Sequence, residues 1–593
     1  MRLGGAGSRL GAGGWKLIAG GWLLGFLAAW PVPPSPQSAA PRPRSPAPSP
    51  QPWNVTFSDV ADRAGLREPT IYGGVDRKRF IIETNGAGVA FIDYDGDGWL
   101  DALVLNGTRL KEGTRDNETW PPDRAPTPHL YRNNHDGTFV DVTARAGLRR
   151  TGWASSVCAG DYDNDGRIDL FITYFGQNVL YHNVGGRFED VTRAAGLPDG
   201  GTRWGSGCAF VDYDRDGRVD LFVANYLRFD LASAPEIGRG PNCVWKGVPV
   251  NCGPRGLPTD TNLLFHNNGD GSFTDVSDAS RVARVTGRYA MTATAADFDG
   301  DGWIDIYVAC DSTASILYRN NHDGTFTDTA VSSGVAYSEN GTQQAGMGIA
   351  VGDFNGDGVL DLFKTHFADD IPALYRGLGK GLFEDTALAA GLGVLNRYVE
   401  WGAGMPDLDN DGRPDLVYVT GNVYPEVEAV LAQYPHRGPR VVFRNADGRR
   451  FENVSATSGA GATSAHSSRG AAFGDFDNDG DLDVLVFNMN EPPSLLRNEY
   501  AGPNHWLAIR LEGTSSNRAA LGATVRVTAG GRTQAQAVLS QSSYYSHDDL
   551  RLHFGLGAAS AAEKIEVTWP SGRVEMLTNV PAGRVVAIKE GNR

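Results

Sequence analysis

The stretch Phe57–Leu66, FSDVADRAGL, returns three times along the chain, as FVDVTARAGL from Phe139, FEDVTRAAGL from Phe188 and FEDTALAAGL from Phe383. Each later copy follows an aspartate-rich loop and a short run resembling LYRN. The first copy follows only proline-rich sequence. A chain that opens with the end of a repeat needs an explanation, and the explanation decides the fold.

The aspartate-rich loops set the count. Seven share the pattern D-x-[DN]-x-D-G-x-x-D: DYDGDGWLD from Asp93, DYDNDGRID from Asp161, DYDRDGRVD from Asp212, DFDGDGWID from Asp297, DFNGDGVLD from Asp353, DLDNDGRPD from Asp407 and DFDNDGDLD from Asp475. Their starts lie 51 to 85 residues apart, enough for one four-stranded unit each. Short apolar runs without helical periodicity flank every loop, GVAFI before Asp93 and LDALVLN after it, and they predict strands A and B. HLYRNN and FVDVT follow as strands C and D, joined by the turn NHDGT.

Only six D strands follow a loop, those beginning near Phe139, Phe188, Phe273, Phe326, Phe383 and Phe451. The seventh repeat runs through LLRN (Leu495–Asn498) and departs into HWLAIRL. Its missing D strand is the orphan at Phe57. A closed ring uses such a swap, because pairing the first strand with the last unit removes both open edges. The sequence predicts an all-β, seven-bladed β-propeller over residues 53–503, closed by its N-terminal strand. After Pro503 the aspartate loops cease and short alternating strands (HWLAIRLEG, ATVRVTAGG, KIEVTWPSG, RVVAIKEG) predict a small β-sandwich-like domain over 504–593.

Carboxylates at alternate positions, a glycine for a sharp turn and a further aspartate three residues later make an oxygen cage for a hard cation, and calcium suits an irregular loop better than magnesium. In the first loop Asp93, Asp95, Asp97 and Asp101 are expected to supply carboxylates and Trp99 its backbone carbonyl. The same positions are Asp161, Asp163, Asp165, Arg167 and Asp169 in the second loop, and Asp212, Asp214, Asp216, Arg218 and Asp220 in the third. They are Asp297, Asp299, Asp301, Trp303 and Asp305 in the fourth, and Asp353, Asn355, Asp357, Val359 and Asp361 in the fifth, which carries one charge fewer. The sixth offers Asp407, Asp409, Asp411, Arg413 and Asp415, and the seventh Asp475, Asp477, Asp479, Asp481 and Asp483. Up to seven calcium ions are expected, in a structural role. They would bring the formal charge from −16 to −2.

These units resemble FG-GAP/VCBS repeats, the calcium-loop blades of integrin α-chain propellers. NRAALGATVRVTAGG from Asn517, HFGLG from His553 and VTWPSG from Val567 resemble the ASPIC/UnbV domain. With CVWKGVPVNCGPRGL between them, the combination is similar to the cartilage acidic protein family and its bacterial relatives. The resemblance implies an extracellular calcium-binding protein and carries over no catalytic residues.

Composition agrees with an exported protein and excludes some partners. A formal charge of −16 argues against nucleic acid. Arg2, Arg9 and Lys16 precede the apolar run Leu17–Trp30, which reads as a signal peptide within residues 1–30, an uncleaved anchor being the alternative. A stiff proline-rich linker follows over 31–52, and no later segment is long and apolar enough to span a bilayer. Cys243 and Cys252 are spaced to close a short loop by a disulfide, whereas Cys158, Cys208 and Cys310 are expected as small buried hydrophobes.

Strand alternation puts the aspartate loops on one face and three long inserts, from Arg109, Tyr226 and Gly421, on the other. Loops on a rigid scaffold are where binding usually sits, so the ligand site is expected there, for an extracellular protein or a glycan. Trp153, Trp204 and Tyr289 hold matching positions before strand A, with Arg203, Arg288, Glu400, Trp401 and Arg469 near them, as an aromatic–arginine rim around the channel or as inner-strand packing. His366, His436 and His466, with Asp369, Asp370, Glu426 and Glu428, keep a lyase-like enzyme open as an alternative, beside a non-catalytic assembly scaffold. No nucleophile motif or phosphate loop stands out, and catalysis is not the expected function.

Overall fold

The computed structural model describes residues 53–122 and 124–591. The expected signal peptide and linker lie outside them. Among the described residues, seven four-stranded antiparallel sheets lie between Phe57 and Asn498, each holding one aspartate loop between its first two strands. The first is built from Val89–Ile92, Asp101–Val104, His129–Asn133 and Phe139–Asp141. The last is Ser468–Gly474, Asp483–Asn488 and Ser494–Asn498, completed by Phe57–Asp59 from the N-terminal end. Phe57 faces Asn498 in that ladder, as Phe139 faces Asn133 in the first sheet.

Three repeated contacts turn the sheets into a closed β-propeller. The residue after the first loop aspartate reaches the D-strand phenylalanine of the next sheet: Tyr94 meets Phe188, Tyr162 Phe273, Tyr213 Phe326 and Phe354 Phe451, at ring separations of 5.9–6.4 Å. Phe476 of the last loop meets Phe139 of the first sheet at 5.8 Å, which joins the ends of the series. The strand-C asparagine donates its side-chain amide backwards, from Asn183 to Tyr94 O (2.8 Å), from Asn498 to Leu408 O (3.0 Å) and, across the closure, from Asn133 to Phe476 O (2.9 Å).

The AGL ending of the repeat supplies the third contact. Residues Ala61–Ala64 form one helical turn capped by Gly65 at φ +93°. A side chain at Gly65 would be strained by that backbone conformation and would lie 2.8 Å from Phe139 O of the neighbouring sheet. Gly459, at φ +84°, approaches Phe57 O in the same way (2.7 Å), and Phe57 N donates to Ser458 O (2.8 Å). The orphan copy therefore makes both contacts of an internal one, backwards through Phe57 and forwards through Gly65.

The C-terminal residues form two sheets. One orders Leu552–Gly557, His505–Glu512 and Arg584–Lys589, with a parallel pairing between the last two. The other orders Arg532–Ala537, Thr524–Ala529, Ala561–Thr568 and Val574–Pro581. Their core, with Ile509, Phe554, Ile565 and Trp569, is continuous with Phe171, Phe210 and Leu221 of the propeller.

Cys158 and Cys208 depart from expectation. They lie on inner strands of adjacent sheets and are joined as a disulfide, while Cys310 stays free and buried. Both stand four or fewer residues before a loop aspartate on neighbouring inner strands, and ring closure is what sets them side by side.

If Phe57 closes the ring, Phe57→Ala should destabilise by about 3–5 kcal/mol, read as a fall in melting temperature. The exposed D-strand residue Val140→Ala should stay within about 0.5 kcal/mol of the parent.

Candidate metal centres and the plugged channel

In every aspartate loop the first carboxylate folds back on its own turn. Asp93 accepts from the amides of Asp97 (2.9 Å) and Gly98 (3.0 Å), and Asp161 from those of Asp165 (2.9 Å) and Gly166 (2.7 Å). The ninth residue ties the loop to its sheet: Asp101 accepts from Tyr94 N (3.1 Å) and Asn133 N (2.8 Å). The oxygens of Asp93, Asp95 and Asp101 thereby converge within 4.8 Å, as do those of Asp161, Asp163 and Asp169 and of Asp212, Asp214 and Asp216. Burial pushes Asp101, Asp169 and Asp361 up to about 8 and Asp212 and Asp475 up to about 7, with neighbouring carboxylates adding to the rise. Asp411 Oδ1 and Asp477 Oδ1 are buried and accept no hydrogen bond.

Converging carboxylates that lack compensation fit a divalent cation. The third and fifth residues are partly neutralised: Arg132 Nε meets Asp95 (2.7 Å), Arg497 Nε meets Asp477 (2.7 Å), and His135 Nε2, stacked on Trp99, meets Asp97 (2.8 Å). The arginines expected to lend only a backbone carbonyl turn their side chains onto the fifth aspartate, Arg413 Nη1 to Asp411 at 2.6 Å and Arg167 and Arg218 likewise to Asp165 and Asp216. In the fifth loop Asn355 donates to Asp357 (3.0 Å).

The channel inside the ring is filled by the chain itself. The segment Val538–Leu550, between two strands of the C-terminal region, runs into it and is held by backbone groups of the inner strands. The residue four positions before the first loop aspartate presents its amide to this plug in five sheets. Val89 N donates to Ser546 Oγ (3.2 Å), Val157 N to Tyr545 O (3.0 Å), and Ile349 N to Ser543 O (2.7 Å). Cys208 N and Ala293 N share Gln541 Oε1 (both 3.2 Å). At the preceding position stand Gly88, Ser156, Gly207, Thr292, Gly348, Gly402 and Gly470. A methyl group on Gly88 would collide with Tyr545 O, and one on Gly402 or Gly470 would lie 2.9 Å from Ser543 Oγ or 2.7 Å from Ser546 Oγ.

The plug settles the fate of the expected aromatic–arginine rim. Trp204, Arg469, Trp401, Glu400, Trp153 and Tyr289 are all buried. Tyr544 packs on Trp401 (4.9 Å), Arg469 lies over Trp401 (4.1 Å), and Trp204 Nε1 donates to Ser155 Oγ (3.0 Å). Arg203 is partly exposed and pairs with Asp260 (3.3 Å); Arg288 is also partly exposed. Trp401 packs on the plug through Tyr544 and carries Arg469 over its ring, whereas Trp204 is buried among Phe175, Tyr226 and Phe229. The groups that kept a lyase-like reading open take partners of their own. His366 is buried, His436 Nδ1 meets Asn422 O (2.8 Å), His466 Nδ1 meets Glu491 (2.6 Å), and Asp369 pairs with Lys246 (2.6 Å).

On the opposite face Cys243 and Cys252 are disulfide-bonded and clamp a hairpin, Val244–Trp245 against Val248–Pro249. Its turn residues Lys246 and Gly247 both have positive φ, the two-residue geometry that matches strand twist. Trp245 at the tip contacts Tyr434 (4.8 Å), Phe367 (5.8 Å) and Tyr424 (6.1 Å), so the hairpin ties the second insert to the third.

The FG-GAP-like repeat description matches residues 122–172, 161–223, 256–308, 297–363 and 407–486, and that of ASPIC and UnbV matches 513–593. The chain is an FG-GAP-like repeat protein with an ASPIC and UnbV domain. It is 24% identical to human (Homo sapiens) cartilage acidic protein 1 over 533 residues, 85% of this chain and 71% of that one. It is 25% identical to the mouse (Mus musculus) protein over 517 residues, 82% and 71% of the two chains. Among solved structures, an Agrocybe aegerita lectin is similar with a TM-score of 0.34 and 17% identity, over 63% of this chain and 88% of that one.

The ASPIC and UnbV domain sits against the FG-GAP-like loops. Arg518 N donates to Asn164 Oδ1 (2.8 Å), Arg215 Nε to Pro570 O (2.9 Å), His553 Nε2 meets Asn410 Oδ1 (2.7 Å), and Ala535 N donates to Asp353 Oδ2 (3.2 Å). The ring of small residues five places before each loop was the signal for the plug: an inner strand needs no such ring unless something passes close to its backbone. Gly88→Val should lower stability by about 1–3 kcal/mol or more, with new proteolytic cleavage within 538–550. Gly253→Ala, which points into open space, should do neither.

Proposed function

We propose that this protein is an extracellular, calcium-dependent recognition module for a protein or glycan ligand. Calcium is structural, and the ligand is met by the insert face opposite the aspartate loops. The observation that carries the reading is the disulfide-clamped hairpin: long inserts are knitted together through Trp245, which remains partly exposed above its aromatic neighbours. A rigid aromatic tip on a braced loop suits binding, since little conformational entropy is lost on contact. The disulfides and the relatedness to cartilage acidic protein 1 support an oxidising, extracellular setting.

Calcium in the loops would neutralise buried carboxylates that otherwise repel one another, next to residues that dock the C-terminal domain. Extracellular calcium modules bind at about 10⁻⁴–10⁻³ M. At about 1 mM calcium, seven independent sites would then add roughly 3–10 kcal/mol by linkage. The melting temperature should fall on chelation and return with calcium; an unchanged value would remove calcium from the account.

A screen of residues 51–593 against extracellular proteins and glycans, in millimolar calcium and again in chelator, tests recognition. Trp245→Ala removes ring packing on Tyr434 and lowers the melting temperature; in protein still folded at the assay temperature it should weaken a hit at least about tenfold. A hit that ignores Trp245 but is lost on changing Val574 or Met576, exposed on the C-terminal domain, would place the ligand there and support a scaffold instead.

A further inference from the structure

The C-terminal domain does not lie flush on the aspartate loops. In its three-stranded sheet the strand His505–Glu512 carries Trp506, Ala508 and Arg510 on the face that meets the propeller. Trp506 stacks on His553, which pairs with Ala508 and reaches Asn410 of the sixth loop. Val585 also pairs with Ala508, and Ala587 with Arg510, so this face continues onto the strand Arg584–Lys589. Val585 is 44% exposed there. Beneath it a cavity of about 450 Å³ is walled by the first and second aspartate loops, the end of the plug and the sheet itself.

Phe91, Leu100, Ile168, Leu550 and Val585 give the cavity hydrocarbon walls. Its charges cancel, with one exception. Asp93 and Asp161 accept from amides of their own turns, and Asp95 meets Arg132 (2.7 Å). Asp549 meets Arg551 (2.6 Å), and Glu512 meets Lys589 (2.8 Å) and Arg518 (3.1 Å). Arg167 is held by Asp165 and by Asn183 O. Arg510 is the one charged side chain on the wall with no hydrogen bond or ion pair among the described residues. His547, 1% exposed, lines the same cavity. Its Nδ1 meets Ser540 O (2.9 Å), an atom that can only accept, so Nδ1 carries the proton and Nε2 a lone pair. Nε2 has no partner among the described residues. A buried acceptor left without a donor costs free energy that a donor in the cavity would recover.

We propose that this cavity binds a small apolar acid. Arg510 takes its carboxylate or sulfonate, the hydrocarbon walls take an aliphatic or aromatic body, and His547 Nε2 takes an O–H or N–H donor. Apolar clefts of this size with a few placed polar groups are the usual form of a small-molecule site, and they favour domain interfaces. A guanidinium suits the acid because its fork matches two oxygens of one anion. The ligand touches the C-terminal domain and the loops together, so it tightens their docking. The site lies on the aspartate-loop side and stands independently of the recognition surface proposed for the insert face.

The test titrates the full, folded chain with anilinonaphthalene sulfonate, a fluorescent probe that joins an aromatic body to one sulfonate and one N–H. Phenylnaphthylamine, the same body without the sulfonate, is the control. One sulfonate probe should bind per chain and raise the melting temperature. R510Q should weaken it at least about tenfold and leave phenylnaphthylamine binding unchanged. The melting temperature of the free R510Q protein should match the parent, since Arg510 has no partner to lose. V585W, which fills the cavity from an exposed position, should weaken both probes at least about tenfold. Trp245→Ala, on the insert face, should weaken neither in folded protein. Sulfonate binding that R510Q leaves unchanged would overturn the inference, and so would binding that survives V585W, or no saturable binding. Loss of the probe in Trp245→Ala alone would assign it to the insert face and end this reading, leaving the recognition surface standing.

Discussion

The channel of this propeller is closed by hydrogen bonds between one loop and the inner strands of the ring, and much of the remaining structure follows from them. Inner strands in a closed ring point backbone amides towards the axis, and each needs an acceptor. Gln541, Ser543, Tyr545 and Ser546 supply acceptors to five of the seven sheets at once. That demand explains the small residue at the same place in each inner strand. It also explains the burial of Trp401, which packs on Tyr544 of that loop with Arg469 over its ring.

The aspartate loops carry three duties on nine residues. The first and ninth carboxylates fold the turn, and the second residue packs on the next sheet while its carbonyl accepts from that sheet's strand-C asparagine, as Tyr94 does from Asn183. The outer surface of several loops receives the C-terminal domain. A cation bound at a loop would therefore act on the sheet, on its neighbour and on the docked domain together. This economy leaves the opposite face free of structural duty, and there the inserts are long and braced by a disulfide.

Much of this was legible in the sequence because it is periodic. The loop pattern gave the strand order of every sheet, and counting D strands against loops assigned Phe57 to the seventh sheet, where it faces Asn498. Local chemistry also announced the oxygen cages, since alternate carboxylates around a glycine turn bring their own ligands together within nine residues. The disulfide between Cys243 and Cys252 was legible for the same reason, both partners lying in one short stretch, whereas the hairpin it clamps was not.

What the sequence could not decide depends on residues far apart in the chain and joined only by ring closure. Cys158 and Cys208, 50 residues apart, meet because adjacent inner strands converge towards the axis. Trp401 and Arg469 were open between a binding rim and inner-strand packing, and the passage of Val538–Leu550 through the ring brings Tyr544 onto Trp401. The sequence by itself determined the repeat, its phase and its ligand-forming loops, because those are set by contacts within a few dozen residues. The tertiary structure alone decided what occupies the channel and which face stays open, because one non-repeating loop must satisfy backbone groups contributed by sheets from the whole ring.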